Sequence, residues 1–253
     1  MEEKAKEWWE VTAGYFQDEA DVPIAIHYGT GSPLEDKLGL IEQDLEGKKV
    51  LEMGCGAAQG GIAFAKKGAK VTGVDISEEQ LEIATELIDE HGVDIELHQG
   101  DIKDMETIES SSYDIVYSAY AFQWLKDIQA VFSEAHRALK SGGMFLFSLP
   151  HPFFQFLGGE IETQQLDIEE HYLDADVSKT EQLEEDGEEY EMIIYRRTVG
   201  ELFNSLREAG FQVDRIIEPD PREAAGDEGE QWVDQDLLSK VPSTVIFRAF
   251  KEE

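Results

Sequence analysis

The chain has 253 residues and a very uneven charge, with 56 Asp and Glu against 21 Lys and Arg and a formal net charge of -35. Because 41% of the residues are hydrophobic, the composition excludes a disordered acidic chain and predicts one large domain with a full core. Such a surface repels nucleic acid and anionic membranes, so neither is expected as a partner. It resembles the acidic coats of proteins from salt-loving microbes. We predict a halophilic source, with an ordinary acidic cytosolic protein as the alternative.

Cysteine usage and the N-terminus bear on location. Cys55 is the single cysteine, which rules out an internal disulfide and any cysteine-based zinc site. The start of the sequence lacks the basic and apolar regions of a signal peptide, and its most apolar segment, 144–157, is too short to span a bilayer. We therefore expect a cytoplasmic protein without a metal.

The chain alternates strands and helices in order from residue 48. An amphipathic N-terminal helix is predicted over 3–18, and a Gly- and Pro-bearing loop follows at 25–33. The predicted strands are 48–53, 70–75, 94–99, 113–118 and 143–149. The predicted helices are 59–67, 78–91 and 125–139. This alternation indicates right-handed βαβ units and a mostly parallel sheet.

The regular alternation ends at Pro150, and an acidic stretch poor in core residues follows. We interpret 151–190 as an insertion within a main domain (46–253). An N-terminal helical cap (1–45) precedes that domain. The later predicted elements are a strand at 191–195, a helix at 199–209, and strands at 211–217 and 244–250.

The most informative motif runs from Glu52 to Gly56. Here a strand ends in a carboxylate and leads into a Gly-x-Gly turn, and a second strand ends at Asp75, 19 residues after Gly56. A dinucleotide fingerprint requires a third glycine where Gln59 stands, and Glu52 would repel a pyrophosphate. Two acids beside a bare turn instead suit a ligand with an ammonium group and a ribose.

These motifs resemble the nucleotide-binding half of class I S-adenosylmethionine-dependent methyltransferases, over roughly residues 48–150. The resemblance implies a Rossmann-like α/β fold: a seven-stranded, mostly parallel sheet with the last strand antiparallel and helices on both faces. It also implies S-adenosylmethionine as cofactor and S-adenosylhomocysteine as product. The residues implied to bind the cofactor are Glu52 near its methionine part, the backbone of Gly54, Cys55 and Gly56, Asp75 on the ribose, Ile76 on the adenine, and Asp101 and Ile102 at the adenine.

The fourth predicted strand and the residues after it resemble the border of the methyl-donor pocket. This part of the resemblance adds Ser118 and Phe122 to the cofactor site and Tyr120 and Trp124 to the substrate side. For each carboxylate a purely structural alternative stands, since an Asp after a strand is often an N-cap or turn residue.

The residues that handle the methyl acceptor are less clearly marked. His151 follows the fifth strand and is our candidate general base, with a structural role as the alternative. His27 and Tyr28 lie on the Gly-rich loop and are candidate lid residues.

The function that we expect is in-line methyl transfer to an O, N or C nucleophile on a small molecule, by a monomer or homodimer. The alternatives are a non-catalytic module that binds the cofactor and a methyltransferase that acts on a protein. An oxidoreductase with a nucleotide cofactor is a more distant third.

Overall fold

A computed structural model describes residues 2–20, 22–29, 31–155, 157–158, 167–168, 172–173, 178–185, 188–224 and 240–252. Its helices are α1 (Glu2–Ala20), α2 (Glu35–Leu38), α3 (Gln59–Lys66), α4 (Glu78–His91), α5 (Ile128–Ala138), α6 (Pro152–Gln155), α7 (Val199–Glu208) and α8 (Pro221–Ala224), with a 3-10 turn at Phe122–Trp124. Its strands are β1 (Lys49–Met53), β2 (Lys70–Asp75), β3 (Ile95–Gln99), β4 (Tyr113–Ala119), β5 (Leu139–Pro150), β6 (Leu157–Gly158), β7 (Asp167–Ile168), β8 (Ser178–Glu185), β9 (Glu188–Tyr195), β10 (Phe211–Ile217) and β11 (Thr244–Lys251).

Seven strands form one sheet in the order β10-β11-β5-β4-β1-β2-β3. The pairs among β1 to β5 are parallel, and β11 runs antiparallel to both of its neighbours, β5 and β10. The order reverses between β1 and β4, which is where open α/β sheets bind ligands. The predicted fold class, including the antiparallel last strand, is confirmed.

The alternation of side chains along the strands divides the core into two layers. On one face of the sheet, α5 and α7 cover a cluster that contains Phe132, Phe145, Phe147 and Phe211. On the other face, α3 and α4 cover a second cluster. Residues of β1 alternate between the two clusters, with Val50 in one and Leu51 in the other. Burial of both faces explains why these strands are almost continuously apolar.

Helix α1 lies across the body of the domain and packs on α4 and β9. Glu10 on α1 accepts hydrogen bonds from the backbone N–H groups of Glu78 (2.9 Å) and Glu79 (3.4 Å), at the first turn of α4. A carboxylate at a helix N-terminus binds N–H groups that have no partner within the helix. This contact holds α1 beside the carboxyl ends of β1 and β2.

The insertion differs from its prediction where the structure describes it. The single strand predicted at 191–195 is longer, spanning Glu188–Tyr195, and it pairs antiparallel with β8 in a hairpin outside the main sheet. Strand β5 also begins earlier than the predicted residue 143, at Leu139. Much of 151–190 lies outside the described residues. The division into cap, domain and insertion stays a prediction.

Candidate cofactor and acceptor site

The Gly-x-Gly turn uses its own N–H groups to fold. Gly54 and Gly56 have φ angles of 68° and 51°, in the left-handed region that favours glycine. The N–H groups of Gly54 and Cys55 both donate to the carbonyl of Val74, at 2.8 and 3.1 Å. The N–H of Gly56 donates to Asp75 Oδ2 at 2.8 Å. Strand β2 therefore binds the turn that follows β1, and three N–H groups are not available to a phosphate.

Glu52 lies on β1, and its carboxyl group contacts the first turn of helix α3. Its side chain is 4% exposed, and Oε2 accepts a hydrogen bond of 2.8 Å from the N–H of Gly61. Burial raises the pKa of Glu52 to about 8, against the opposing effect of the Gly61 hydrogen bond. A helix N-terminus of this kind receives the phosphate in dinucleotide-binding proteins. Here a carboxylate already takes that place, so the turn is not built for a pyrophosphate.

Asp75 lies on the other side of the turn, 9% exposed. Oδ2 accepts from Gly56, and Oδ1 accepts from the N–H of Ser77 at 3.0 Å. Burial raises its pKa, although these hydrogen bonds oppose the shift. A carboxylate offers about four lone-pair positions, so Asp75 is held firmly and can still accept from the hydroxyl groups of a ligand.

The residues predicted at the adenine lie next to Asp75. The N–H of Gly100 donates to the carbonyl of Asp75 at 2.8 Å, which joins the ends of β3 and β2. Asp101 is partly exposed and accepts from the N–H of Lys103 at 2.9 Å. Burial raises its pKa. Ile102 is 7% exposed, whereas Ile76 remains partly exposed. Asp101 and Ile76 therefore lie at the same edge of the sheet as Asp75.

Three predicted cofactor residues lie in the core instead. Phe122 is fully buried and packs against Phe132, Phe145 and Phe147. Ser118 is also fully buried, and its hydroxyl donates to the carbonyl of Met53 at 2.7 Å. The Cys55 sulfur packs against Gly73, so closely that a Cβ on Gly73 would lie only 2.9 Å from it. In this structure these side chains join β1, β2, β4 and β5 and do not line the crevice, which corrects the predicted roles of Phe122 and Ser118.

The two predicted lid residues differ from each other. Tyr28 is fully buried, and its hydroxyl donates to Glu35, so it is a core residue and not a lid. His27 remains partly exposed, and burial lowers the pKa of its imidazole to about 4, so the ring is neutral at pH 7. Its carbonyl accepts from the hydroxyl of Tyr117 on β4. The loop is thus fixed to the sheet on one side, with His27 at its edge.

Tyr120 and Trp124 follow the carboxyl end of β4. Tyr120 has a positive φ of 53°, and its hydroxyl bonds with Thr244 on β11. Its ring lies so close to Gly29 that a Cβ there would come within 2.3 Å of Cε1. Trp124 meets Trp9 of α1 edge to face, with ring centroids 5.8 Å apart. Both aromatic rings therefore connect the site to other segments.

His151, the candidate base, already has both ring nitrogens in hydrogen bonds. Nδ1 accepts from the N–H of Phe153 at 3.1 Å, so in the neutral ring the proton is on Nε2, which donates to Glu218 Oε1 at 2.8 Å. The side chain is 4% exposed, and burial lowers its pKa despite the nearby carboxylate. No lone pair remains on this ring for a substrate proton, so the geometry favours a role in positioning the β5–α6 loop.

Amide side chains that the sequence reasoning missed connect the elements of the site. Gln17 on α1 donates to Gln80 Oε1 at 3.1 Å and accepts from Gln59. Gln123 in the 3-10 turn is also buried. Glutamine at a helix surface is common, so no sequence signal separates these residues from solvated ones.

The part of the chain that the structure describes bears on metal binding and on membrane insertion. Within it, no group of three or more His, Cys, Asp or Glu side chains is arranged to hold a metal ion. Within the same residues, no helix has the length and apolar character needed to cross a bilayer.

Comparison with known proteins gives a consistent result. A methyltransferase domain family matches residues 51–147. A ubiquinone biosynthesis O-methyltransferase of Vibrio atlanticus is 31% identical over 148 residues, which cover 58% of this chain and 59% of that protein. An uncharacterized protein of Haemophilus influenzae is 26% identical over 187 residues, 70% of this chain and 72% of that protein. The chain thus spans well under two thirds of the Vibrio enzyme.

Among solved structures, an S-adenosylmethionine-dependent methyltransferase described as putative, from Listeria monocytogenes, superposes with a TM-score of 0.66 at 27% identity. The match covers 86% of this chain and 96% of that one. The methyltransferase domain match at 51–147, the fold and these relationships together support a class I S-adenosylmethionine-dependent methyltransferase.

Proposed function

We propose that the protein transfers the methyl group of S-adenosylmethionine to an oxygen, nitrogen or carbon nucleophile on a small molecule. The observation that carries the proposal is the pair of buried carboxylates, Glu52 and Asp75, on either side of a glycine turn whose N–H groups are already bonded. An acidic crevice of this kind suits a cationic ligand with hydroxyl groups. The names of the ubiquinone relatives favour a small-molecule acceptor.

Each carboxylate has a distinct proposed role toward the cofactor. Asp75 accepts from the ribose hydroxyls with its remaining lone pairs, and Glu52 attracts the ammonium group of the methionine part. Asp101 accepts from the amino group of the adenine, while Ile76 and the backbone at Ile102 flank the ring. A Cβ on Gly56 would meet only Gln80, at 3.5 Å, so the turn is bare toward the crevice and backbone can approach a ligand there.

Catalysis then depends on position and on exclusion of water. The bound cofactor supplies an electrophilic methyl group on a sulfonium, and in-line displacement needs a nucleophile held in line with it. Tyr120, Trp124 and helix α1 border the crevice and exclude water from it. We propose that His151 orders the β5–α6 loop beside the acceptor and does not take its proton.

Binding of S-adenosylmethionine and S-adenosylhomocysteine, measured by calorimetry, tests the cofactor site. Two lost hydrogen bonds to a charged acceptor amount to about 3 kcal/mol, so Asp75→Ala is expected to weaken binding by roughly 100-fold. Asp89→Ala removes the same charge from an exposed position on α4 and is the matched control. Asp75→Asn keeps one acceptor oxygen and serves if the alanine variant does not fold. Equal affinity of all variants would contradict the proposed site.

Turnover separates this proposal from its alternatives. Release of S-adenosylhomocysteine with a panel of phenols, amines and small acids is expected for the wild type. Cofactor binding without release from any small molecule, but with methylation of added basic proteins, would favour a protein methyltransferase. Binding without any transfer would favour a non-catalytic module.

We also propose that the protein works in a salt-rich cytoplasm, as a monomer or homodimer that does not bind nucleic acid. The formal charge of -35 supports this proposal, since at about 1 M salt the screening length falls to roughly 3 Å and self-repulsion is largely removed. The free energy of unfolding in urea is expected to rise as KCl increases from about 0.1 to about 2 M. A stability that does not change with KCl would point to an ordinary acidic protein.

A further inference from the structure

Helix α1 contacts the segments that follow three neighbouring strands of the sheet. Glu10 binds the first N–H groups of α4, which follows β2, and Gln17 accepts a hydrogen bond from Gln59 at the start of α3, which follows β1. Trp9 meets Trp124 in the 3-10 turn that follows β4. Because β4, β1 and β2 are adjacent in the sheet, α1 passes over the carboxyl end of β1 and thus over the Gly-x-Gly turn.

Three glutamine amides join α1 to the starts of α3 and α4. Gln59 Nε2 donates to Gln17 Oε1, and Gln17 Nε2 donates to Gln80 Oε1 at 3.1 Å. Gln59 and Gln80 are 7% and 3% exposed. A Cβ on Gly56 would lie 3.5 Å from Gln80 Oε1. The amide bridge therefore lies beside Gly56, on the side where we propose that the cofactor binds.

Helix α1 is also close to the proposed ribose site. Burial has the largest effect in raising the pKa of Asp75, and the carboxylate of Glu10 on α1 adds to the rise. The two acids are therefore near enough to repel each other. Asp75 is 9% exposed and Glu52 is 4% exposed, so little of either carboxylate is open to solvent. A cofactor bound to both would lie beneath α1 and would have to pass it on entering or leaving.

The contacts that hold α1 in place are individually weak. Hydrogen bonds between amides contribute little net free energy, because water offers similar bonds to the separated groups. Lys4 forms an ion pair with Glu191 of β9, but the two side chains are 50% and 34% exposed, and such pairs also contribute little. No described residue of α1 belongs to either of the two core clusters. Helix α1 can therefore separate from α3 and α4 without opening the core.

Two features weaken α1 between its contacts with α4. Gly14 is exposed in the helix interior, and a Cβ there would meet no described atom outside the helix backbone within 4 Å. Packing does not require this glycine, and glycine inside a helix is less stable than alanine. The Thr12 hydroxyl donates to the carbonyl of Trp8 at 2.8 Å, a contact that often bends helices. Because Thr12 and Gly14 lie between Glu10 and Gln17, the helix bends most easily there.

We propose that α1 is a gate over the cofactor site, which opens by bending near Gly14 and closes through Gln17. This inference rests on the proposed cofactor site between Glu52 and Asp75. The gate closes on groups of the protein, so it hinders entry and exit of the cofactor to the same extent. Closing therefore slows exchange of cofactor and product without changing their affinity, and it keeps water out during methyl transfer.

The rates at which S-adenosylhomocysteine binds and leaves test the gate. Association with the full-length protein is followed by stopped-flow tryptophan fluorescence, since Trp9 and Trp124 lie at one contact of α1. Dissociation is followed by chasing labelled ligand with an excess of unlabelled ligand, and Kd is measured by calorimetry. Hydrogen exchange of the α1 amides in ligand-free protein is a second readout, which also shows whether each variant is folded.

Gln17→Met removes both amide bonds at nearly constant side-chain size. It is expected to raise the association and dissociation rate constants together, by about tenfold, while Kd changes less than about twofold. The α1 amides are expected to exchange faster, with protection of the sheet unchanged. Glu7→Gln changes an exposed residue of the same helix and is the matched control, with rates equal to those of the wild type.

Gly14→Ala tests the bend in the opposite direction. The stiffer helix is expected to lower both rate constants by about threefold, again with little change in Kd. Gly200→Ala makes the same change in α7, which packs against α5 and β10, and a Cβ there would lie 3.8 Å from Thr198 Oγ1. This control is expected to leave both rate constants unchanged.

The outcomes distinguish the gate from the proposed function. Rate constants that rise together in Gln17→Met and fall together in Gly14→Ala support the gate. A faster dissociation alone, with a weaker Kd, would mean that Gln17 contacts the cofactor and would overturn the gate. Rates equal to those of the wild type in both variants would also overturn it and leave the proposed function standing. Failure of folded wild type to bind S-adenosylhomocysteine would contradict the proposed cofactor site itself.

Discussion

The two halves of the site are built differently. On the cofactor side, Glu52 and Asp75 bond to backbone N–H groups of segments next to them in the sheet. On the side of β4 and β5, where we propose that the acceptor binds, Gln123 and Ser148 are both buried and each has an oxygen without a partner among the described residues. A half that is satisfied by its own backbone is preorganised, whereas the other half keeps two buried oxygens that can accept hydrogen bonds from water or from a ligand.

The largest expected effect comes from the residue at which the halves meet. Gly54→Ala combines a φ of 68° with a Cβ only 2.5 Å from Ala121, so it disturbs both the turn and the acceptor segment. We expect a loss of about 3 kcal/mol in the free energy of unfolding, measured in urea.

Gly92→Ala is the control for Gly54→Ala. Gly92 has a similar φ of 62°, but a Cβ there meets nothing within 4 Å. It is expected to lose only about 1 kcal/mol. If the two variants were equally stable, backbone strain alone would explain the glycines, and the halves would not be coupled through Gly54.

Protonation of Glu52 sharpens the comparison on the cofactor side. With a pKa of about 8, Glu52 is mostly protonated at pH 7, whereas a bound ammonium group favours the ionised form. Cofactor binding therefore releases a proton, and affinity is expected to rise about tenfold between pH 6 and 7 and to level off above pH 8. Calorimetry in buffers of different ionisation enthalpy measures the released proton. Glu52→Gln is expected to abolish that part of the release.

The same group affects the stability of the protein without ligand. Because folding raises the pKa of Glu52 above its usual 4.5, its contribution is fully present at low pH and is lost as the pH rises toward about 8. The difference in unfolding free energy between the wild type and Glu52→Gln isolates this contribution from that of the other carboxylates. A difference that does not vary with pH would show that folding leaves the pKa of Glu52 unchanged.

The smallest expected effect concerns the contact that holds α1 over the site. Glu10→Ala removes the carboxylate that binds the first N–H groups of α4. A lost cap of this kind costs about 1 kcal/mol in the free energy of unfolding. Glu7→Ala on the exposed side of α1 is the control and is expected to change little. Equal values for both would mean that α1 is held by Trp9 and its other contacts.

Much of the fold could be predicted from the sequence because its signals are local. The strand that ends at Asp75 and the helix that starts after Ser77 have the predicted bounds. The turn after Glu52 could be predicted because Gly54 and Gly56 stand at the spacing of a Gly-x-Gly turn. The hairpin was predicted only in part: β9 buries Met192 and Ile194 and gave a strand signal at 191–195, whereas β8 (Ser178–Glu185) is almost entirely polar and was missed.

A small cleft beside β5, lined in part by Gln123 and Arg197, could not be predicted in the same way. Gln123 and Arg197 meet only because segments far apart in sequence fold together. Phe122 was assigned to the cofactor site on the basis of the resemblance. The positive φ at Tyr120 determines the path of the chain just before it, and the ring enters the core. No sequence pattern indicates that a tyrosine adopts this conformation.

The Glu52 carboxylate at the start of α3 also limits how this scaffold could be redesigned to bind a different cofactor. Replacing Glu52 with a small residue would free the N–H of Gly61, but those of Gly54 and Cys55 would still be bonded to Val74. A phosphate would therefore meet one new donor where a dinucleotide enzyme presents several. Conversion to a pyrophosphate-binding turn requires the loop to be rebuilt, so single substitutions do not connect the two cofactor classes in this scaffold.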